Sequence, residues 1–235
     1  MTKDRRRTTD DENLTSGSSR WSFVRHPSSK QYAFYFDSSA CSGCKACQVA
    51  CKDRHSLRVG LMWRRVYEVV GGAWSRRGQA WVSSVFAYNV SLACNHCERP
   101  ICAEVCPTKA ITRRDDGIVL LDPDKCIGCK YCSWACPYGA PQYDAEAGRM
   151  TKCDFCAEDL DVGLPPSCVA ACPLRALDFG DRAVLEQKYG PLEVIYPLPE
   201  THLTEPALVV TPHQDAVRAR HGTAEVGNWE EVGAP

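Results

Sequence analysis

The sequence predicts an α+β fold made of two related modules, and three observations predict it. All sixteen cysteines fall into four groups of four, with none left over. The groups alternate between two spacing types, so the chain repeats internally. Around them, short strand-like runs alternate with helical turns, and nothing approaches a long helix.

Taken in chain order, residues 1 to 30 are rich in Ser, Thr, Asp and Arg and poor in aliphatics, which predicts a disordered arm unable to offset its ordering entropy. Arg5, Arg6 and Arg7 have no apolar segment behind them, so the arm is not read as a signal peptide of the usual three-part form. The fold should begin near Gln31, with a domain over 31–190. Tyr32 to Asp37 reads as a strand, and residues 62 to 70 and 79 to 92 as strand-rich. Asp115-Asp116-Gly117 reads as a turn between Ala110-Ile111-Thr112 and Ile118 to Leu121. Short helices should follow the cysteine loops, and Arg182 to Tyr189 reads as one more helix. Beyond it, Pro191, Pro197, Pro199, Pro206 and Pro212 predict an extended, surface-wrapping tail over 191–212, packed on the domain, and 213–235 is expected to be a mobile end.

Hydrophobic residues make up 44% of the 235, charged residues 24%, and the net charge is -1. No basic surface therefore points to nucleic acid. No apolar run approaches the roughly 20 residues of a membrane helix. No nucleophile–base pair or phosphate loop occurs, so the chain is read as having no catalytic site.

The repeat becomes visible once the cysteines are aligned. Cys41-Ser-Gly-Cys44-Lys-Ala-Cys47-x-x-x-Cys51 matches Cys126-Ile-Gly-Cys129-Lys-Tyr-Cys132-x-x-x-Cys136. The second type, Cys94-x-x-Cys97-x4-Cys102-x-x-x-Cys106, parallels Cys153-x-x-Cys156-x11-Cys168-x-x-x-Cys172 and differs in a loop insertion. Disulfides cannot form in good geometry when sulfurs crowd at i, i+3 and i+6. Tetrahedral zinc uses two C-x-x-C pairs and has no use for a third cysteine three residues on. A 4Fe-4S cubane presents four iron corners, three of which a C-x-x-C-x-x-C loop can cap while its amides face the sulfur atoms. In two-cluster ferredoxins the last cysteine of each run crosses to the other cluster, so two ferredoxin-like modules with four 4Fe-4S clusters are expected. Spacing alone permits either neighbouring or nested pairing of the groups.

Gly43 and Gly128 fall inside the tight loops, where positive φ is needed. Pro107, Pro137 and Pro173 follow the last cysteine of three groups, whereas Lys52 stands there in the first. His55, His96 and His202 read as surface or core residues rather than ligands. Trp63, Trp74, Trp81 and Trp134 are expected to pack against the clusters and keep water away. Lys45, Lys130, Arg113 and Arg114 are read either as groups that set potentials or dock a partner, or as solvated charges.

The order of the four groups, with Cys94-Asn95-His96-Cys97-Glu98, the stretch from Ala135 to Tyr143, Met150-Thr151-Lys152-Cys153-Asp154 and the stretch from Cys172 to Gly180, resembles the iron–sulfur subunits of the molybdopterin oxidoreductase superfamily, those of dimethyl sulfoxide reductase in particular. The resemblance covers about residues 31 to 212. It implies a nested pairing: Cys41, Cys44, Cys47 and Cys172 on one cluster; Cys51, Cys153, Cys156 and Cys168 on a second; Cys94, Cys97, Cys102 and Cys136 on a third; Cys106, Cys126, Cys129 and Cys132 on a fourth. It further implies a wire carrying electrons from a quinol-oxidising membrane anchor to a molybdopterin-bearing catalytic subunit. Association with the membrane would be peripheral, through those partners, and co-export with the catalytic subunit is compatible with it. The same wire could serve an enzyme of polysulfide, tetrathionate, selenate or arsenic, and a free polyferredoxin is the other alternative.

With clusters in place of much of an apolar core, metal binding should be coupled to folding. Circular dichroism of the chelated chain should show largely disordered backbone; a native spectrum without iron would contradict the coupling.

Overall fold

The computed structural model describes residues 30–219 and 224–233, so the expected arm over 1–30 lies, but for Lys30, outside the described residues. The first half runs β1 (Tyr32–Asp37), α1 (Ala46–Arg54), β2 (Arg65–Gly71), β3 (Trp74–Arg77), β4 (Ala80–Ser83) and β5 (Phe86–Leu92). Next come α2 (Ile101–Glu104), β6 (Ile111–Arg113), β7 (Val119–Leu121), α3 (Tyr131–Ala135), β8 (Gln142–Asp144) and β9 (Arg149–Thr151). The chain closes with α4 (Ala157–Asp161), α5 (Ser167–Ala170), β10 (Leu177–Asp181), α6 (Arg182–Tyr189), β11 (Leu208–Thr211), α7 (Ala216–Arg218), β12 (Ala224–Val226) and α8 (Trp229–Val232).

Two three-stranded sheets and three two-stranded hairpins result. In one sheet β1 is central, antiparallel to β10 through Tyr32↔Asp181 to Phe36↔Leu177 and parallel to β11 through Phe34↔Leu208 to Asp37↔Thr211. In the other, β2 lies antiparallel between β5 and β12. The aliphatic and aromatic core gathers on Phe155, which is fully buried. It stacks on Phe34 at 4.0 Å and meets His96 edge-on at 5.1 Å.

The helices carry the cysteines, and proline sets their lengths. A residue before proline is driven out of the α region, and Cys136, ahead of Pro137, is extended at φ -80°, ψ 114°. The helices α2, α3 and α5, each followed closely by Cys-Pro, have four or five residues. With Lys52 in place of proline, α1 continues through Cys51 to nine residues. That departure therefore has a definite effect: it lengthens one helix by about a turn. Packing of α1 on α5 and of α2 on α3 brings distant cysteine groups side by side.

The tail differs from its predicted course. Rather than wrap the surface, residues 207 to 210 insert beside β1. Ala207 and Val209 pack with Ala33, Tyr35 and Leu185 on one side, and Leu208 and Val210 join Phe34 and Phe36 on the other. Apolar side chains pointing alternately to both faces demand burial on both faces. Residues past 213, expected to be mobile, form α7, β12 and α8; Val226 and Val232 are buried, and Asn228 is bonded through its side chain to Val66 O and Glu68 N, both at 2.9 Å. The tryptophans also depart from expectation. Trp74, Trp81 and Trp134 are 63%, 65% and 76% exposed, because the β3–β4 hairpin stands off the body and Trp134 lies on the outer side of α3. Trp63 alone of the four is partly buried, its indole N–H donating to Thr151 Oγ1 at 3.0 Å.

In both C-x-x-C-x-x-C loops the same positions are left-handed: Gly43 and Gly128 at φ 73° and 68°, Lys45 and Lys130 at 63° and 66°. A Cβ on Gly128 would lie 2.4 Å from the backbone carbonyl of Gly148, whereas one on Gly43 would meet the movable end of Asn89. Gly128→Ala should therefore lower the iron bound per chain more than Gly43→Ala does; equal losses by metal analysis would show that positive φ, not the carbonyl, governs the loop.

Candidate metal centres

The structure gathers the cysteines from different groups. Cys41, Cys44 and Cys47, at the start of α1, share one cavity with Cys172, which follows α5. A second cavity is lined by Cys94, Cys97, Cys102 and Cys136, and a third by Cys106, Cys126, Cys129 and Cys132. The remaining four, Cys51, Cys153, Cys156 and Cys168, are all buried and influence one another's ionisation: Cys168 and Cys156 act on Cys51, and Cys51 and Cys168 act on Cys153. In every set two sequence groups contribute. The helix pairs α1–α5 and α2–α3 make this possible, since each C-x-x-x-C helix carries its last sulfur away from the loop that precedes it.

Backbone amides face these sulfurs. The N–H of Ala110 donates to Cys106 Sγ at 3.3 Å, that of Met150 to Cys126 Sγ at 3.4 Å and that of Phe155 to Cys153 Sγ at 3.4 Å. The tail contributes to the second cavity. Thr204 lines it and bonds Tyr138 Oη at 3.0 Å. The N–H groups of Glu98 and Arg99 donate to Glu205 O and Thr204 O, and that of Ala207 to Asn95 O, so the Cys94–Cys97 loop is held from outside.

Five buried side-chain nitrogens have no acceptor among the described residues: Arg64 Nε and Nη2, Arg65 Nε, Asn95 Nδ2 and His96 Nε2. His96 Nδ1 accepts from the Val119 amide at 3.0 Å, which leaves the proton on Nε2. All five are donors, and all lie beside the cysteines. Asn95 lines the second cavity, with His96 next to it in the loop. Arg65 acts on Cys136, while Cys168, Cys47, Cys153 and Cys51 face Arg64. A buried donor left unmade costs about 1–3 kcal/mol, so the set calls for an anionic guest with many acceptor lone pairs. Disulfides do not answer it, for all sixteen sulfurs are free. Zinc does not either: a single cation held by four thiolates at about 2.3 Å brings no acceptor atoms of its own for these donors. A cluster whose thiolates and sulfides all accept hydrogen bonds fits.

Sequence reasoning singled out the sixteen cysteines but missed their surroundings. His55, read as an ordinary surface or core residue, has Nε2 3.3 Å from Cys156 Sγ, with Trp63 against its ring at 4.5 Å. His96 is a core residue and His202 is exposed, as predicted. Arg64 had no signal beyond an arginine pair inside a strand-like run. The basic residues singled out earlier have internal partners: Lys45 pairs with Glu68 and Glu231, Lys130 covers the Tyr143 ring, Arg113 bonds Gln31, and Arg114 pairs with Asp116 and Asp161.

These elements define an iron–sulfur electron carrier of the ferredoxin type. A family described as "4Fe-4S dicluster domain" matches residues 85–182. The probable anaerobic dimethyl sulfoxide reductase chain YnfG of Escherichia coli K12 is 49% identical over 202 residues, 86% of this chain and 98% of that one. The B subunit of anaerobic dimethyl sulfoxide reductase is 48% identical in Escherichia coli K12, over the same shares, and 48% identical in Haemophilus influenzae, over 86% of this chain and 100% of that one. The chain belongs to this family of dimethyl sulfoxide reductase iron–sulfur subunits, whose role is electron transfer.

Burial pushes the Cys41 and Cys132 thiols up to about 11 and the Cys51 and Cys97 thiols up to about 12, neighbouring sulfurs adding to each. Cys106 moves the other way: against its burial, hydrogen bonds from Thr108, Ala110 and Ile111 favour the thiolate. A thiol raised in this way keeps its proton at neutral pH, so ligation must displace it. Iron retained against a competing chelator should fall as pH is lowered below the raised thiol values of about 11 to 12 and go on falling through neutral; retention independent of pH would contradict the assignment.

Proposed function

We propose that this chain relays electrons through four 4Fe-4S clusters, held by the nested sets Cys41, Cys44, Cys47, Cys172; Cys51, Cys153, Cys156, Cys168; Cys94, Cys97, Cys102, Cys136; and Cys106, Cys126, Cys129, Cys132, in two ferredoxin-like modules. The observation that carries the reading is the set of three cavities, each lined by three cysteines of one group and one of another. Bound there, such a cluster supplies reversible one-electron storage, at potentials that range over about -700 to +450 mV with surroundings. The protein's part is to exclude water, hold the thiolates and aim donors at sulfur, with no bond chemistry and no catalytic site of its own.

The relatives are named as subunits of dimethyl sulfoxide reductases. In the proposed complex electrons enter from a quinol-oxidising membrane anchor and leave to a molybdopterin catalytic subunit. No helix among the described residues is long and apolar enough to cross a membrane, which agrees with peripheral attachment through partners.

Two experiments test this. Under nested pairing Cys106→Ser and Cys129→Ser strike the same cluster, so the double variant should lose one cluster's iron, whereas Cys102→Ser with Cys129→Ser should lose two; loss of two clusters' iron in the Cys106→Ser, Cys129→Ser variant would sink the ligand sets. For the role, the complex isolated anaerobically should contain molybdenum and let dimethyl sulfoxide reoxidise a reduced dye. Reoxidation by tetrathionate or another acceptor instead would replace the substrate, and a chain isolated without partners would favour a free ferredoxin.

A further inference from the structure

Arg64 stands immediately before β2 and is 2% exposed, among the most deeply buried large side chains of the protein. Its Nη1 donates to Ser91 Oγ at 3.2 Å and, more weakly, to Ser91 O at 3.4 Å. The guanidinium carbon lies over the Phe34 ring, 4.6 Å from its centroid, and Phe34 in turn stacks on Phe155. Nε and Nη2 have no acceptor among the described residues. A fixed charge in so dry a place is heavily disfavoured unless an anion faces it.

The ionisable groups that act on its charge are sulfurs, Cys168, Cys47, Cys153 and Cys51, and they become anionic when they ligate a metal. They belong to two sets. Cys47 is one of the four cysteines of the first cavity, and its sulfur lies 3.4 Å from Ser91 Oγ, the same hydroxyl that Arg64 holds. Cys51, Cys153 and Cys168 form most of the deeply buried set, and the backbone N–H of Arg64 itself reaches the Cys51 sulfur. One guanidinium thus borders both sets, with one nitrogen committed toward Cys47 through Ser91 and two left to donate.

We propose that Arg64 is the shared countercharge of two adjacent clusters, the one held by Cys41, Cys44, Cys47 and Cys172 and the one held by Cys51, Cys153, Cys156 and Cys168. Its Nε–H and Nη2–H donate to cluster sulfur, and Nη1–H acts on Cys47 through Ser91. The inference rests on the ligand sets proposed above. One-electron reduction adds negative charge to a cluster in a low-dielectric site, so a fixed cation beside it favours the reduced form and raises its potential. A planar fork with five donors in fixed directions is pre-organised to serve two clusters at once, whereas an ammonium offers three donors on a flexible stem. Arg64 is a positioning residue in this sense: it sets where electrons rest along the chain and moves none itself.

The test is an EPR-monitored redox titration, with an iron count, on the isolated complex carrying wild-type chain, Arg64→Met and Arg64→Lys. In Arg64→Met two clusters should become at least tenfold harder to reduce, about 59 mV for one electron, while the other two keep their potentials. Arg64→Lys should fall between, because charge is retained and the fork is lost. Loss of iron confined to two clusters in either variant supports the same role. Four clusters with unmoved potentials in Arg64→Met would overturn it, and so would loss of all four in both variants, which would make Arg64 a residue of the fold. Either result is separable from failure of the ligand sets, which the wild-type iron count and the paired serine variants report independently.

Discussion

The constraint on which the rest depends is that cysteines from distant groups line three cavities close to five buried N–H donors that have no acceptor among the described residues. In an ordinary core, apolar burial stabilises and polar groups are paired. Here the core is interrupted by sulfur-lined cavities, and the polar groups at their edges point inward. An anionic guest resolves both, which is the physical reason to expect metal binding to be coupled to folding. The aromatic cluster on Phe155, placed between the two cysteines of a C-x-x-C loop, is what apolar packing contributes, and it lies between the sulfur sites.

Local geometry serves the same end. Non-glycine residues take left-handed conformations at Lys45, Lys130, Phe155 and Cys156, where each costs backbone energy that an unconstrained loop would avoid. They recur at matching positions of the repeat, Lys45 with Lys130, as Gly43 does with Gly128. The proline after the last cysteine is a second device. It stops three of the four cysteine helices within about a turn and swings the next segment away, and its replacement by Lys52 lets α1 run on and carry His55 to Cys156.

The carboxyl-terminal residues are not an accessory. Thr204, Glu205 and Ala207 hold the Cys94–Cys97 loop from outside, β11 completes the sheet on β1, and Glu231 reaches Lys45 in the first cysteine loop. A tail read from its prolines as a wrapping around a finished domain is instead part of the walls of two sites. Proline disfavours regular helix, but it does not forbid a four-residue strand between Pro206 and Pro212.

By itself the sequence determined what chemistry is possible and much of the local structure. The i, i+3, i+6, i+10 cysteine spacing, β1, the β6–β7 hairpin, α6 and positive φ at Gly43 and Gly128 are local consequences of residue type, which a single chain segment carries within itself. Tertiary structure decided everything that depends on which distant segments meet. It brought cysteines of distant groups side by side, because α1 packs on α5 and α2 on α3. It buried the tail, exposed three tryptophans expected inside, and brought Arg64 and His55 to the sulfurs. Short hairpins such as β8–β9 and one buried arginine among many exposed ones leave no periodic trace, since what distinguishes them is the company they keep only after folding.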